Sequence, residues 1–96
     1  MSVRERRRGA TRAPTLDDAR ALIAVEAFAR KFGQGPTWRE LGRLLGWPEA
    51  EAADRVRELL AVGLRYRRDE PRSLNVTESG LERALRVARG QKEARP

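Results

Sequence analysis

The side chains able to do chemistry in this chain are nearly all charged. Lysine and arginine number 21, all but Lys31 and Lys92 being arginine, against 14 aspartates and glutamates, for a formal charge of +7. Cysteine and histidine are absent. That inventory excludes disulfides, zinc sites of the Cys/His kind and imidazole acid–base catalysis. What arginine does well is bind anions, because its planar fork of donors matches phosphate oxygens and the O6/N7 edge of guanine. A basic surplus on a chain of 96 residues therefore points to a polyanionic partner, nucleic acid ahead of an acidic membrane surface. Genome composition can raise arginine too, so placement rather than number has to carry the argument.

Eleven of the 19 arginines fall in three places. Residues 1–14 hold five of them, Arg6, Arg7 and Arg8 consecutively, with one glutamate, a net +4 and no apolar stripe; this segment is expected to be a flexible basic arm for phosphates. Arg39 and Arg43 follow Thr37 and Trp38 in the middle of the chain. Arg65, Arg67, Arg68 and Arg72 lie with two acids in residues 64–77, a net +2. Between these last two groups the sign reverses. Residues 47–63 contain two arginines, Arg55 and Arg57, and four acids, a net −2, with Glu49, Glu51 and Asp54 preceding the first arginine. Three readings of the acids are open. Glu49 or Glu51 accepts from cytosine amino groups, the arm and the later basic segment dominate contact, or the acidic segment faces a protein.

Local signals place these residues on elements. Thr15 is a helix cap followed by Asp17 and Asp18, and Ala21, Leu22, Val25, Phe28, Ala29 and Phe32 recur on one face as far as Gly33. Ile23 and Ala27 add a second apolar strip, so this helix should be covered on two sides, by a second copy of the chain or by the C-terminal helix. Thr37 and Glu40 have capping-box spacing for a second helix with Leu41, Leu44 and Leu45 as its stripe and Gly46 as its stop. Gly42 inside it predicts close approach by another helix. A third helix is expected with Pro48 at its first position, Ala52, Val56, Leu59 and Leu60 facing inward, and Gly63 at its end. Residues 64–67 and 74–76 alternate as two strands around a turn at Asp69, Glu70 and Pro71, with Tyr66 inward beside Leu64. Thr77 caps a last helix carrying Leu81, Ala84, Leu85 and Ala88, with Arg83, Arg86 and Arg89 on a solvated face. Trp47 is expected in the core, whereas Trp38 has no evident core register.

A short capped helix, a glycine turn and a longer second helix form a helix-turn-helix, and the following hairpin supplies a wing. At Gly35-Pro36-Thr37, Glu40-Leu41-Gly42 and Leu45-Gly46-Trp47 the chain resembles the DNA-binding domain of LexA-type repressors, with Gly42 in place of a small alanine and Trp47 in place of a phenylalanine. Leu59 and Gly63-Leu64 extend the likeness, and residues 74–80 are similar to the end of the wing in MarR-type regulators. The resemblance spans residues 16–81. It implies a mainly α, winged helix-turn-helix fold: a three-helix core, a two-stranded hairpin wing and a C-terminal helix. It also implies double-stranded DNA as partner. The self-cleaving domain of LexA has no counterpart.

These readings combine into a set of expectations. The arm (1–14) precedes one domain (15–89) and a disordered tail (90–96). Function is expected to be DNA-binding transcriptional regulation, with contacts from Arg6, Arg7, Arg8, Thr37, Trp38, Arg39, Arg43, Glu49, Glu51, Arg55, Arg65, Arg67, Arg68 and Arg72. The competing expectation is a winged helix that docks on transcription or replication machinery through its acidic third helix. No catalytic residue, cofactor or metal ligand is proposed. No run of 18 apolar residues occurs and no apolar segment follows the basic N-terminus, so neither a membrane span nor a secretory signal is expected and a cytoplasmic location is the default.

Overall fold

A computed structural model describes residues 13–90. Arg6, Arg7 and Arg8 of the expected arm, and the tail beyond Gly90, lie outside the described residues. The described chain is mainly helical, with four helices and a two-stranded antiparallel sheet.

Helix α1 runs Leu16–Phe32. The Thr15 hydroxyl accepts the Asp18 N–H at 3.1 Å and the Asp18 carboxylate accepts the Thr15 N–H at 2.9 Å. Helix α2 spans Trp38–Leu45 and starts with the same reciprocal box between Thr37 and Glu40, at 3.1 and 2.9 Å. Such boxes satisfy donors that a helix start leaves unpaired, which is why these two boundaries fall where the local pattern puts them. Helix α3 runs Glu49–Leu59 and tightens into a 3-10 turn at Leu60–Val62. Pro48 is its N-cap rather than its first helical residue. The Pro48 ψ of 141° is extended, and its carbonyl accepts the Glu51 N–H at 2.9 Å.

Strands β1 (Leu64–Arg65) and β2 (Asn75–Val76) pair Leu64 with Val76 and Arg65 with Asn75. The ladder is shorter than the alternation of residues predicts. Tyr66 accordingly does not alternate inward: it follows the last paired residue and is 46% exposed. Leu74, before β2, takes the buried place. Helix α4 (Glu78–Ala88) is capped by Thr77, whose hydroxyl accepts the Gly80 N–H at 3.0 Å.

Leu22, Val25, Leu41, Val56, Leu59, Val62, Leu64, Leu74 and Ala84 form one core to which every helix contributes. Helix α4 folds back along α1 in the most extensive pairing between elements, so the intrachain covering expected of α1 is the one seen. Ile23 packs against this core, while Ala27 is exposed. Phe32 and Leu44, expected in apolar stripes, are 57% and 58% exposed. Phe32 is the last residue of α1, and its ring is tilted 46° against that of Phe28 with centroids 4.5 Å apart. Leu44 lies off the side of α2 that Leu41 and Leu45 turn toward the core. Arg83 departs from a solvated face: it is half-buried, with Nε and Nη2 enclosed and unpartnered among the described residues, whereas Arg86 and Arg89 are exposed. Among the described residues no helix is long and apolar enough to cross a membrane.

Two close approaches set the packing. A Cβ on Gly42 would lie 3.0 Å from the Ala52 Cβ, so the absence of a side chain lets α2 and α3 meet. Gly63, at φ 127°, and Gly80 touch backbone to backbone where α4 begins, next to a hydrogen bond from the Thr77 N–H to the Gly63 carbonyl. A Cβ on Gly80 would sit 2.8 Å from the Gly63 Cα. Gly80→Ala is therefore expected to lower unfolding free energy by about 1–3 kcal/mol, the usual cost of overpacking, seen as a reduced urea midpoint at unchanged slope.

Candidate nucleic-acid interface

Construction of the site starts at the N-terminus of α2. The Thr37–Glu40 box fixes the first turn and thereby the direction of Trp38 and Arg39. Trp38 is half-buried against the core, and the Arg39 guanidinium lies over its ring, 4.7 Å from the centroid. The Arg39 Nε then donates to the Glu49 carboxylate at 2.9 Å. One arginine thus joins the first turn of α2 to the first residue of α3.

The same combination of tryptophan, arginine and acid recurs on α3. Trp47, half-buried in the α2–α3 turn, has the Arg55 guanidinium 5.4 Å from its ring centroid, and Arg55 lies 3.9 Å from the Glu51 carboxylate. One turn further on, Arg57 donates to Asp54 at 2.8 Å. The three acids that made α3 read as repulsive toward phosphate are therefore each paired within the chain. Such exposed pairs contribute only about 0–1 kcal/mol each to stability. Their larger effect is on which charges the surface offers.

A different pair ties the hairpin to α2. Both terminal nitrogens of Arg72 donate to the Glu40 carboxylate, at 2.7 and 2.8 Å, and Nη1 also reaches the Gly35 carbonyl at 3.5 Å. Arg72 thereby becomes the clamp of the hairpin loop. Thr37 is the cap of α2, its hydroxyl accepting the Glu40 N–H. Within the loop, the Glu70 N–H bonds the Arg67 carbonyl and the Ser73 N–H bonds the Glu70 carbonyl, at 3.1 and 3.2 Å, two successive turns. The Ser73 hydroxyl accepts the Arg67 N–H at 2.7 Å, and Arg67 pairs with Glu70 at 3.4 Å. Arg43, Arg65 and Arg68 are exposed and make no ion pair among the described residues.

These elements enclose a groove of about 580 Å³ between the start of α2, the middle of α3 and the hairpin loop. Trp38, Arg39, Arg67 and Arg68 line it with Arg57 and Tyr66, over a floor that includes Val56 and Leu74. Arg39 also borders a small adjoining cleft with Arg43, Trp47 and Glu49. Arg65 lies off this groove, flanking a different depression beside Asn75 and Arg72. Asp69 and Glu70 of the loop line the groove too. Of the basic and aromatic lining residues, Tyr66 and Arg57 are the two that the sequence reading left out. Tyr66 was missed because two-residue strands end its alternation early. For Arg57, the signal available was the i, i+3 spacing from Asp54. Among the described residues no three carboxylates converge as a cation site.

In comparisons with protein-family models, curated proteins and solved structures, nothing matches this chain.

The Arg72 hydrogen bonds, followed by the Thr37 backbone N–H, hold the Glu40 carboxyl well below the ordinary glutamate range, at about 2. A folded-state value below the unfolded one contributes stability that is complete above the unfolded pKa and is lost as pH falls toward the folded value. The expected outcome is a gap in urea stability between the native chain and an Arg72→Met variant that is full at neutral pH and narrows between about pH 5 and pH 2. A pH-independent gap would show that the clamp does not depend on the Glu40 charge.

Proposed function

We propose that the chain is a cytoplasmic winged helix-turn-helix transcriptional regulator that binds double-stranded DNA. In this reading α2 and α3 are the helix-turn-helix, α3 is offered to the major groove, and residues 64–76 are the wing. The order and lengths of the elements support the assignment, together with the LexA-like residues of α2 and the turn after it.

The observation that carries the proposal is how charge is distributed around α3. Its Glu49, Glu51 and Asp54 are paired with Arg39, Arg55 and Arg57, whereas Arg43 on α2 and Arg65 and Arg68 on the hairpin make no ion pair among the described residues. Arg43 shares a cleft with Glu49 and Ala52, and Arg68 shares the groove with Ala53 and Arg57. Exposed guanidiniums on both sides of a helix are the arrangement that neutralises phosphates on either side of a groove. Helix α3 itself then presents a surface near neutrality rather than a repulsive one. The competing reading, docking on transcription or replication machinery through an acidic α3, rests on acids that these ion pairs already engage.

Duplex affinity is expected to fall linearly on a log–log plot against salt, with a slope of about 0.9 per phosphate neutralised. Arg65→Ala combined with Arg68→Ala should weaken binding on every sequence alike and reduce that slope by about two. Fluorescence anisotropy with a random duplex measures both, and no detectable binding at about 50 mM salt would refute the proposal.

A further inference from the structure

We propose that Arg39 determines sequence specificity by presenting its terminal guanidinium edge to the O6/N7 edge of a guanine in the major groove, with Glu49 and Trp38 as the residues that position it. The inference rests on the duplex-binding reading above and says which base that face selects.

A guanidinium has two edges able to make paired hydrogen bonds, one through Nε and one through the two terminal nitrogens. Glu49 takes the Arg39 Nε–H at 2.9 Å, which leaves the terminal edge with its donors. The Arg39 guanidinium carbon lies over the Trp38 ring, 4.7 Å from its centroid, so the ring backs the fork on one side. The side chain is 61% exposed, and it stands where the groove lined by Arg67 and Arg68 meets the cleft lined by Arg43. Arginine ordinarily loses much rotamer freedom when it binds; a fork already held on two sides loses less.

Charge selects guanine over phosphate as the acceptor. A phosphate on this fork would bring a second anion up to a guanidinium that Glu49 already neutralises, and the two anions would repel across a few ångströms. A guanine edge is uncharged, so it takes the two remaining donors without that repulsion. Arg65 and Arg68 have no such carboxylate and suit phosphates instead. Glu49 is likewise engaged by Arg39, which argues against its accepting from a cytosine amino group directly.

The test is binding-site selection from a random duplex pool, followed by anisotropy on the selected site with 7-deazaguanine replacing each guanine in turn. The unaltered chain should select a guanine, and losing it or its N7 should weaken binding roughly 5- to 150-fold, the range for a bidentate arginine–guanine contact. Arg39→Ala should flatten that position and, by leaving the Glu49 charge uncompensated, lower affinity for non-specific duplex; Arg39→Ala combined with Glu49→Ala, which removes the pair together, should flatten the position while non-specific affinity stays within about twofold. Glu49→Ala should lower guanine selectivity and raise non-specific affinity; Glu49→Gln, which still accepts the Nε–H but no longer repels a phosphate, should raise non-specific affinity and keep a guanine preference between those of the native chain and Glu49→Ala. A purely structural role for Glu49 would move melting temperature and leave guanine selectivity unchanged. Duplex binding in which Arg39→Ala keeps the guanine preference, or weakens all sequences equally, overturns the inference alone. Absence of duplex binding by the unaltered chain removes both it and the reading beneath it.

Discussion

The carboxylate of Glu40 accepts from the Thr37 backbone and from both terminal nitrogens of Arg72, and the geometry of the whole face depends on that convergence. The hairpin has only two residues in each strand, and a two-stranded ribbon that short does not hold itself in water. The eight residues after Tyr66 are positioned by what anchors them: Leu74 in the core, Ser73 across the two turns, and Arg72 on α2. Because the same carboxylate also closes the cap of α2, the start of that helix and the hairpin loop are fixed relative to each other. Arg39, one residue before Glu40, and Arg67 and Arg68, shortly before Arg72, inherit that registration. Bidentate geometry matters here, since a lysine could supply charge but not two parallel bonds.

Ion pairing divides the remaining arginines of α2, α3 and the hairpin into two kinds. Those beside acids, Arg39, Arg55, Arg57 and Arg67, offer directed donors with little net charge; Arg43, Arg65 and Arg68, with no ion pair among the described residues, offer charge. The total of +7 hides this division, because a sum over the chain cannot say which charges are cancelled where they stand. Tryptophans accompany two of the paired arginines. Arg39 lies over Trp38 and Arg55 over Trp47, and each tryptophan is itself held against the core.

The parts of the fold legible in the sequence are those decided by a few neighbouring residues. The boxes at Thr15 and Thr37, the Thr77 cap and the close approach at Gly42 all follow from local chemistry within one turn or from one missing side chain. What was not legible depends on residues far apart or on where an element stops. Arg72 reads as one more hairpin arginine until its partner, 32 positions earlier, is known. Tyr66 reads as inward until the ladder proves too short to carry it. Phe32 and Leu44 fit their stripes by spacing, yet the periodicity of a helix says nothing of where the core beneath it ends. The acids of α3 were visible, and the spacings that pair Glu51 with Arg55 and Asp54 with Arg57 are local, but the pairing of Glu49 with Arg39 required the turn that brings residues ten apart into contact.

That cancellation bears on how a basic protein can select among sequences at all. Attraction to phosphate is the same for every duplex, so each additional free arginine strengthens binding to wrong and right sites together. Selectivity grows only from terms that differ between sites, including those that penalise the wrong one. Under the proposed duplex-binding reading, acids at the start of α3 would serve this purpose at little cost to folding, because the positive end of the helix dipole stabilises Glu49 and Glu51 where they stand. They would reduce the uniform term on α3 and leave it intact on the hairpin and on α2. An arginine set between an acid and a tryptophan would then gain most where a base completes its hydrogen bonds. On that reading the acids of α3, which by composition alone argue against DNA, become part of what would let an arginine distinguish one duplex from another.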